Sequence, residues 1–306
     1  MQIFRHLPEH PDAPMALAIG NFDGMHLGHQ AILHRLSEEA KANNLVCSLL
    51  TFEPHPREFF NPENAPVRLA SMREKLELFA EHGVERSYVC HFDAHFAAMS
   101  VADFIDRVLR NALDARVILV GEDFRFGAER AGTVQELRQA GFKVTSLPNV
   151  LVDGVRVSST AVRQALASGN LTQAKKLLGR DYSISGHVVH GDKQGRVLGY
   201  PTANVQMHHD KPPLTGIYAV KLSGPEGGDL PGVASLGVRP TMKQDGKPTL
   251  EVHLFDFARD IYGQHVRVHF LKKIRNEEKF PDLEALKRQI ALDEQAARAY
   301  FLNEEK

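Results

Sequence analysis

Up to about Leu178 the chain alternates short apolar runs with stretches whose apolar residues recur every three or four positions. The runs at 17–20, 46–52, 87–91, 116–120 and 143–147 predict strands. In "RLASMREKLELFAEHG" the residues Leu69, Met72, Leu76 and Phe79 recur at helical spacing, and Gly83 supplies a left-handed stop. Ser100 is placed to cap "SVADFIDRVL", and Thr133 with Glu136 has capping-box spacing ahead of Gly141. Strand alternating with helix predicts an α/β fold with a parallel sheet covered on both faces.

After Tyr182 the pattern changes. "SISGHVVHG", "GIYAVKL", "PGVASLGV", "TLEVHLF" and "HVRVHFL" are short strands punctuated by Gly, Pro and Asp. In the last of these Val266, Val268 and Phe270 fall on one face, with His265, Arg267 and His269 on the other. Such closely spaced strands predict a small antiparallel barrel or sandwich. A final helix is expected after Asp282, with Leu283, Leu286, Ile290, Ala297 and Phe301 on one stripe. Two domains follow, 1–182 and 183–306, with the boundary near Gly179 to Ser183.

Composition narrows the function classes. A length of 306 residues suits two domains, and 43% hydrophobic residues suit substantial cores. The net charge of −1 leaves no electrostatic footprint for nucleic acid. Cys47 and Cys90 have no CxxC partner, which speaks against a disulfide framework or a zinc site and for a reducing cytoplasm. "MQIFRHLPEH" lacks the apolar core of a signal peptide, and no run reaches the length of a membrane span. The expectation is a soluble cytoplasmic protein acting on small molecules, without nucleic-acid or membrane partners; a homo-oligomer stays open.

"GNFDGMHLGHQAIL", residues 20–33, reads as a glycine-bearing turn passing into a helix. Gly20 and Gly24 allow a bound group to approach the backbone of Asn21, Phe22 and Asp23, and the helix start offers unpaired N–H donors to an anion. His26 and His29, three apart, share one face and can meet one phosphate chain. Donors so placed suit nucleotidyl transfer by in-line displacement, in which the second substrate supplies the nucleophile. A zinc pair is disfavoured, since no glutamate or cysteine cluster supports it. H-x-G-H by itself leaves several nucleotidyl-transferring enzymes open. In "VSSTAVRQAL", Ser158, Ser159 and Thr160 precede a helix with Arg163 one turn inside. Taken singly this is an N-cap and a solvent-exposed arginine; beside the histidines, Arg163 is a candidate clamp for pyrophosphate. "VGEDFRFG" carries Asp123, Phe124 and Phe126 on a loop after a strand, where ligands bind in open α/β sheets; the phenylalanines suit a core equally.

The second half has its own chemistry. "GHVVHGDKQGRVLGYPTANV" spaces Gly186 and Gly191 like a phosphate loop, yet Asp192 stands where the lysine belongs and no helix follows. It is not a Walker motif, although Lys193 and Arg196 could bring positive charge to phosphates over a glycine loop. Thr202 and Asn204, two apart on an extended chain, offer hard oxygen ligands for Mg²⁺. Glu251 alternates with His253 and Phe255 along "TLEVHLF". It is an ordinary solvated glutamate unless a hydroxyl substrate and metal lie beside it, when it becomes a general base for phosphoryl transfer.

At this point two resemblances enter. "GNFDGMHLGH", "TFEPHP", "FDAHFAAMSVADF", "VGEDFRFG" and "VSSTAVR" resemble, in order, the FMN adenylyltransferase module of prokaryotic bifunctional FAD synthetases. "GHVVHGDKQGRVLGYPTANV", "GIYAV", "SLGVRPTM", "EVHLFDFARDIYG" and "IRNEEKF" resemble riboflavin kinase. The resemblance implies a Rossmann-like nucleotidyltransferase domain followed by a six-stranded antiparallel β-barrel with a C-terminal helix. It implies phosphorylation of riboflavin to FMN and adenylylation of FMN to FAD, each with ATP and Mg²⁺. His26 and His29 would hold ATP phosphates and Arg163 the leaving group, with Asp123 and residues 92–99 bordering the flavin. Thr202 and Asn204 would be Mg²⁺ ligands, Glu251 the base, and Arg275 to Phe280 a flavin-side flap. Some relatives carry Asn in place of Asp123, and a carboxylate cannot donate the same hydrogen bond. A flavin-storage protein, the alternative from another class, would consume no ATP.

Overall fold

The computed structural model describes residues 1–191, 199–224, 227–238 and 248–304. By backbone contact the chain parts into two compact units, residues 1–66 with 75–158, and residues 67–74 with 159–306.

The first unit is built on six parallel strands: β1 (Gln2–Phe4), β2 (Met15–Ile19), β3 (Val46–Glu53), β4 (Arg86–His91), β5 (Ala115–Gly121) and β6 (Lys143–Leu147). Their order is β1-β4-β3-β2-β5-β6. From β2 the chain steps outward through β3 to β4 on one side, then resumes at β5 on the other. The direction of winding therefore reverses between β2 and β5, and open α/β sheets bind ligands outside the strand carboxyl ends at such a point. All five residues of β2 are buried, which is why the predicted strands appear as unbroken apolar runs. The observed ends differ from the predicted ones by a residue or two, and Gly20 falls just outside β2. Edge strand β1, three residues with two exposed, left no pattern to detect.

Local signals account for most helix starts. The helix Met72–Glu81 begins later than Leu69 because Ser71 caps it. Ser71 Oγ accepts from Glu74 N (3.3 Å), and Glu74 Oε2 accepts from Ser71 N (2.7 Å). Ser100 Oγ accepts from Asp103 N, as expected. The helix it starts widens to π geometry over Phe104–Ala112, burying Phe104, Ile105, Val108 and Leu109 in the sheet core. Thr133 and Glu136 form the expected capping box. A hairpin of β7 (Leu151–Val152) and β8 (Val155–Arg156) turns at Asp153 and Gly154, both at positive φ. Cys47 and Cys90 are free and buried, and burial pushes their thiols up to about 11 and about 12, so neither is a nucleophile near neutrality.

The second unit contains a closed antiparallel barrel of β9 (Tyr182–Val189), β10 (Ala203–Met207), β11 (Gly216–Ser223), β12 (Asp229–Val238), β13 (Pro248–Leu254) and β14 (His265–Arg275). Their order is β10-β13-β12-β11-β14-β9. Ile184, Val188, Val205, Val252, Val268 and Phe270 are buried along alternating strand positions. The C-terminal helix Leu283–Glu304 lies on the outside of the barrel, where Ala297 packs with Ile217, Ala219, Val233 and Phe255. Leu283, at the start of the predicted stripe, is 58% exposed, about four turns before Ala297.

Glu74 anchors residues 67–74 within this unit. Its Oε1 accepts from Ser185 N (2.6 Å), and Oε2 lies 2.9 Å from His209 Nε2, with both side chains buried. Burial raises the Glu74 carboxyl, but the His209 contact and the Ser185 and Ser71 amides outweigh it and hold the pKa below 4.5. Because folding lowers this pKa, its stabilisation is fully present above the ordinary Glu value and is lost as the pH falls through the lower folded value. Glu74→Ala, which leaves His209 buried without its carboxylate, is expected to lower stability by about 3–5 kcal/mol. Urea unfolding followed by circular dichroism checks this, and an unchanged midpoint would remove Glu74 from the account of stability.

Candidate active sites

At the switch point β2 gives way to the loop 20–26 and the helix Leu27–Ala42. Phe22 (φ +49°), Gly24 (φ +82°) and Met25 (φ +43°) all take left-handed backbone. Phe22 and Met25 are fully buried, so core packing holds a conformation that costs about 1–3 kcal/mol per non-glycine residue. The Asn21 carbonyl accepts from Lys75 Nζ (3.2 Å) and Thr51 Oγ1 (3.4 Å), which fixes the loop from two further elements. His26 is the N-cap, its Nδ1 accepting from His29 N at 3.3 Å. That bond assigns the hydrogen of a neutral His26 ring to Nε2. The His26 and His29 rings stack at 3.6 Å and 16°, and the Phe22 ring lies 5.1 Å from His29. A Cβ on Gly28 would come within 3.2 Å of the His26 ring. The glycine between the histidines thus leaves room for the stacked pair. Two stacked imidazoles at the first turn of a helix are groups that can meet an anion.

The barrel positions its polar groups by register. Leu250, Val252 and Leu254 point inward, leaving Glu251 and His253 on the outer face. Glu251 is directly opposite Asn204 on β10 and Ser235 on β12. A cavity of about 680 Å³ lies between this face and the C-terminal helix. Glu251, Thr202, Ser235 and His253 supply its polar side; Leu283, Leu286, Ile290 and Phe280 supply apolar wall. A second cavity, about 350 Å³, is lined by Thr202, Arg259 and Tyr262. Thr202 borders both cavities. Asn204 lines a third, of about 670 Å³, together with Gly191, on which a Cβ would lie 2.4 Å from the Asn204 amide nitrogen.

Comparison with known proteins matches the two units to two activities. The FAD synthetase family matches residues 9–161 and the riboflavin kinase family residues 178–301. The chain is 47% identical over 300 residues to the bifunctional riboflavin kinase/FMN adenylyltransferase of Escherichia coli K12, covering 97% of this chain and 96% of that protein. The chain belongs to the bifunctional riboflavin kinase/FMN adenylyltransferases. The protein of the same description from Pseudomonas fluorescens is 47% identical, with 98% and 97% covered; that of Haemophilus influenzae is 45% identical, with 94% of each covered. A solved structure described as a macrolide-efflux protein from Streptococcus pneumoniae superimposes with a TM-score of 0.82 at 30% identity, covering 97% of this chain and 99% of that one. Among the described residues, no helix is long and apolar enough to cross a membrane.

The chain phosphorylates riboflavin to FMN and adenylylates FMN to FAD. In the loop after β5, where the sequence left the phenylalanines open between ligand and core, the two rings differ in burial. Phe126 is core, buried against Phe104 at 5.2 Å, and a Cβ on Gly132 would come within 2.8 Å of its ring. Phe124 stacks on Phe126 at 5.7 Å and is partly buried. Asp123 is exposed and paired with Arg156 of β8. Aromatic surface lies instead after β3 and β4, where Phe92 touches Phe52, Phe59, Phe60 and Phe96 at 5.6–5.9 Å. Phe60 is 66% exposed and Phe59 37%. Neither was singled out from sequence, although an aromatic pair two residues beyond "TFEPHP" was a usable signal. Ser159 and Thr160 lie in the first turn of the helix Ser159–Ala167, not ahead of it. Arg163, on the same helix in the second unit, donates from Nε to Val67 O.

In the kinase unit, Gly186 belongs to β9. A Cβ there would lie 2.2 Å from Gln206 O, so strand packing on β10 already demands the glycine. Lys193 and Arg196 lie outside the described residues. Arg275 lines the large cavity, but its guanidinium is clasped by Asp293 of the C-terminal helix, Nε to Oδ1 at 2.8 Å and Nη2 to Oδ2 at 2.7 Å. Its fork is committed to that clasp, and it lies 5.5 Å over the Phe280 ring, which it helps to place.

Proposed function

We propose that riboflavin occupies the 680 Å³ cavity of the barrel, with Glu251 as general base and ATP entering from the Thr202 side. The observation that carries this is the meeting of the two cavities at Thr202, with Glu251 on the larger one. Leu283, Leu286, Ile290 and Phe280 give an apolar wall suited to a planar ring system. Glu251 takes the proton from the 5′-hydroxyl as its oxygen attacks the terminal phosphorus of ATP, the bond from that phosphorus to the bridging oxygen breaks, and ADP leaves. The smaller cavity, with Arg259 and Tyr262, suits the nucleotide.

Thr202 and Asn204 fit Mg²⁺ by donor type, as a hydroxyl and an amide oxygen. Bound there, Mg²⁺ would neutralise charge on the phosphate oxygens. Asn204 shares its outer-face row with Glu251 and borders a different cavity from Thr202.

For the second reaction, the loop 20–24 with His26 and His29 would cradle ATP phosphates while FMN supplies the attacking oxygen. Arg163 as the pyrophosphate clamp is supported by the "VSSTAVR" motif alone. The exposed rings of Phe59 and Phe60 favour a flavin-stacking surface over the buried Phe126.

Leu286→Trp, which fills the large cavity, is expected to raise KM for riboflavin by about 10-fold or more and to leave FMN adenylylation unchanged. Steady-state kinetics with each flavin decides it, and an unchanged KM would move riboflavin out of this cavity.

A further inference from the structure

β10 and β13 pair as far as Ala203 opposite Val252, and there the ladder stops. The next residues back are Thr202 and Pro201, outside the strand. At that point the side chain of His253, the residue after Val252, takes over from the backbone. Its Nδ1 lies 2.9 Å from the Pro201 carbonyl oxygen. A carbonyl only accepts, so Nδ1 carries the hydrogen. The ring is held from its other sides by Tyr200 (5.4 Å, 80°) and Phe255 (6.2 Å, 66°). Pro201 is bonded directly to Thr202.

We infer that His253 is a positioning residue of the kinase site: by holding the Pro201 carbonyl it fixes the peptide carrying Thr202 at the junction of the two cavities. Glu251 and His253 lie two apart on one strand and one face, so the base and the brace for the metal-side hydroxyl share one rigid element. Without the brace, Thr202 hangs on a proline peptide that the sheet does not hold. Misplacement of a reacting group by about 1 Å costs on the order of 100-fold in rate.

The inference rests on the assignment of Thr202 to the metal side, so Thr202→Val is measured beside His253→Ala and His253→Asn. The asparagine amide N–H stands in for the imidazole donor. One readout is riboflavin kinase kcat. The other is the Mn²⁺ concentration that half-quenches the fluorescence of bound riboflavin with ADP present. A wild-type thermal melt followed by circular dichroism reports that each protein, barrel included, is folded. His253→Ala is expected to weaken Mn²⁺ binding by about 10–100-fold and to lower kcat, while His253→Asn recovers most of both. Wild-type Mn²⁺ binding in His253→Ala would overturn the inference, as would a His253→Asn as impaired as His253→Ala. If Thr202→Val leaves Mn²⁺ binding unchanged, the Thr202 assignment itself falls; if only Thr202→Val weakens it, His253 alone is wrong.

Discussion

Replacing Glu251 by alanine will leave riboflavin unphosphorylated while supplied FMN is still converted to FAD. Glu251 is on the outer face of β13, between Asn204 and Ser235 on the neighbouring strands, at the edge of the large cavity. A positioned general base contributes about 10²–10⁴-fold, so the residual FMN formation should fall by that factor. Leu250 and Val252, its neighbours along the strand, carry the barrel interior, so the substitution leaves the core intact. Glu251→Gln keeps the shape without the basic oxygen and should fail equally. Flavin chromatography with riboflavin and FMN as separate substrates measures both losses.

His29→Ala will stop the sequence at FMN. The His29 ring is stacked on His26 at the helix start of the switch point, where the proposed reading has preorganised donors meet charge on the transferring phosphate. Removing one such donor costs about 10²–10³-fold in kcat. FAD formation should fall by that amount, with kcat dropping more than KM for ATP rises, because the interaction strengthens in the transition state. FMN formation from riboflavin should be untouched. His26→Ala is the less clean variant, since His26 also caps the helix and its loss removes about 1 kcal/mol of stability. A normal kcat for FAD formation in His29→Ala would take the stacked pair out of catalysis.

Much of this was legible in the sequence because the informative features are local. Strands buried on both faces appear as apolar runs, and the caps at Ser100 and Thr133 lie within three residues of the groups they satisfy. The H-x-G-H motif was legible because its glycine answers a contact inside the motif, between Gly28 and the His26 ring. Alternation put Glu251 on the outer face. What opposes it on the next strands is a matter of register, which one strand's pattern does not contain. Long-range partners were equally hidden: nothing near Glu74 announces Ser185 or His209, so residues 67–74 gave no sign of belonging with the barrel. Phenylalanines divide the same way, because sequence cannot tell the buried Phe126 from the exposed Phe60.

The central claim is that two separate constellations, one around Glu251 and one around His26 and His29, each run one reaction. Its most direct test is a single chromatographic measurement of riboflavin, FMN and FAD after incubating folded Glu251→Ala and His29→Ala proteins with ATP, Mg²⁺ and either flavin. The account predicts a crossed result: Glu251→Ala makes FAD from FMN but no FMN from riboflavin, and His29→Ala makes FMN from riboflavin but no FAD. Loss of both reactions together in either folded protein would contradict it.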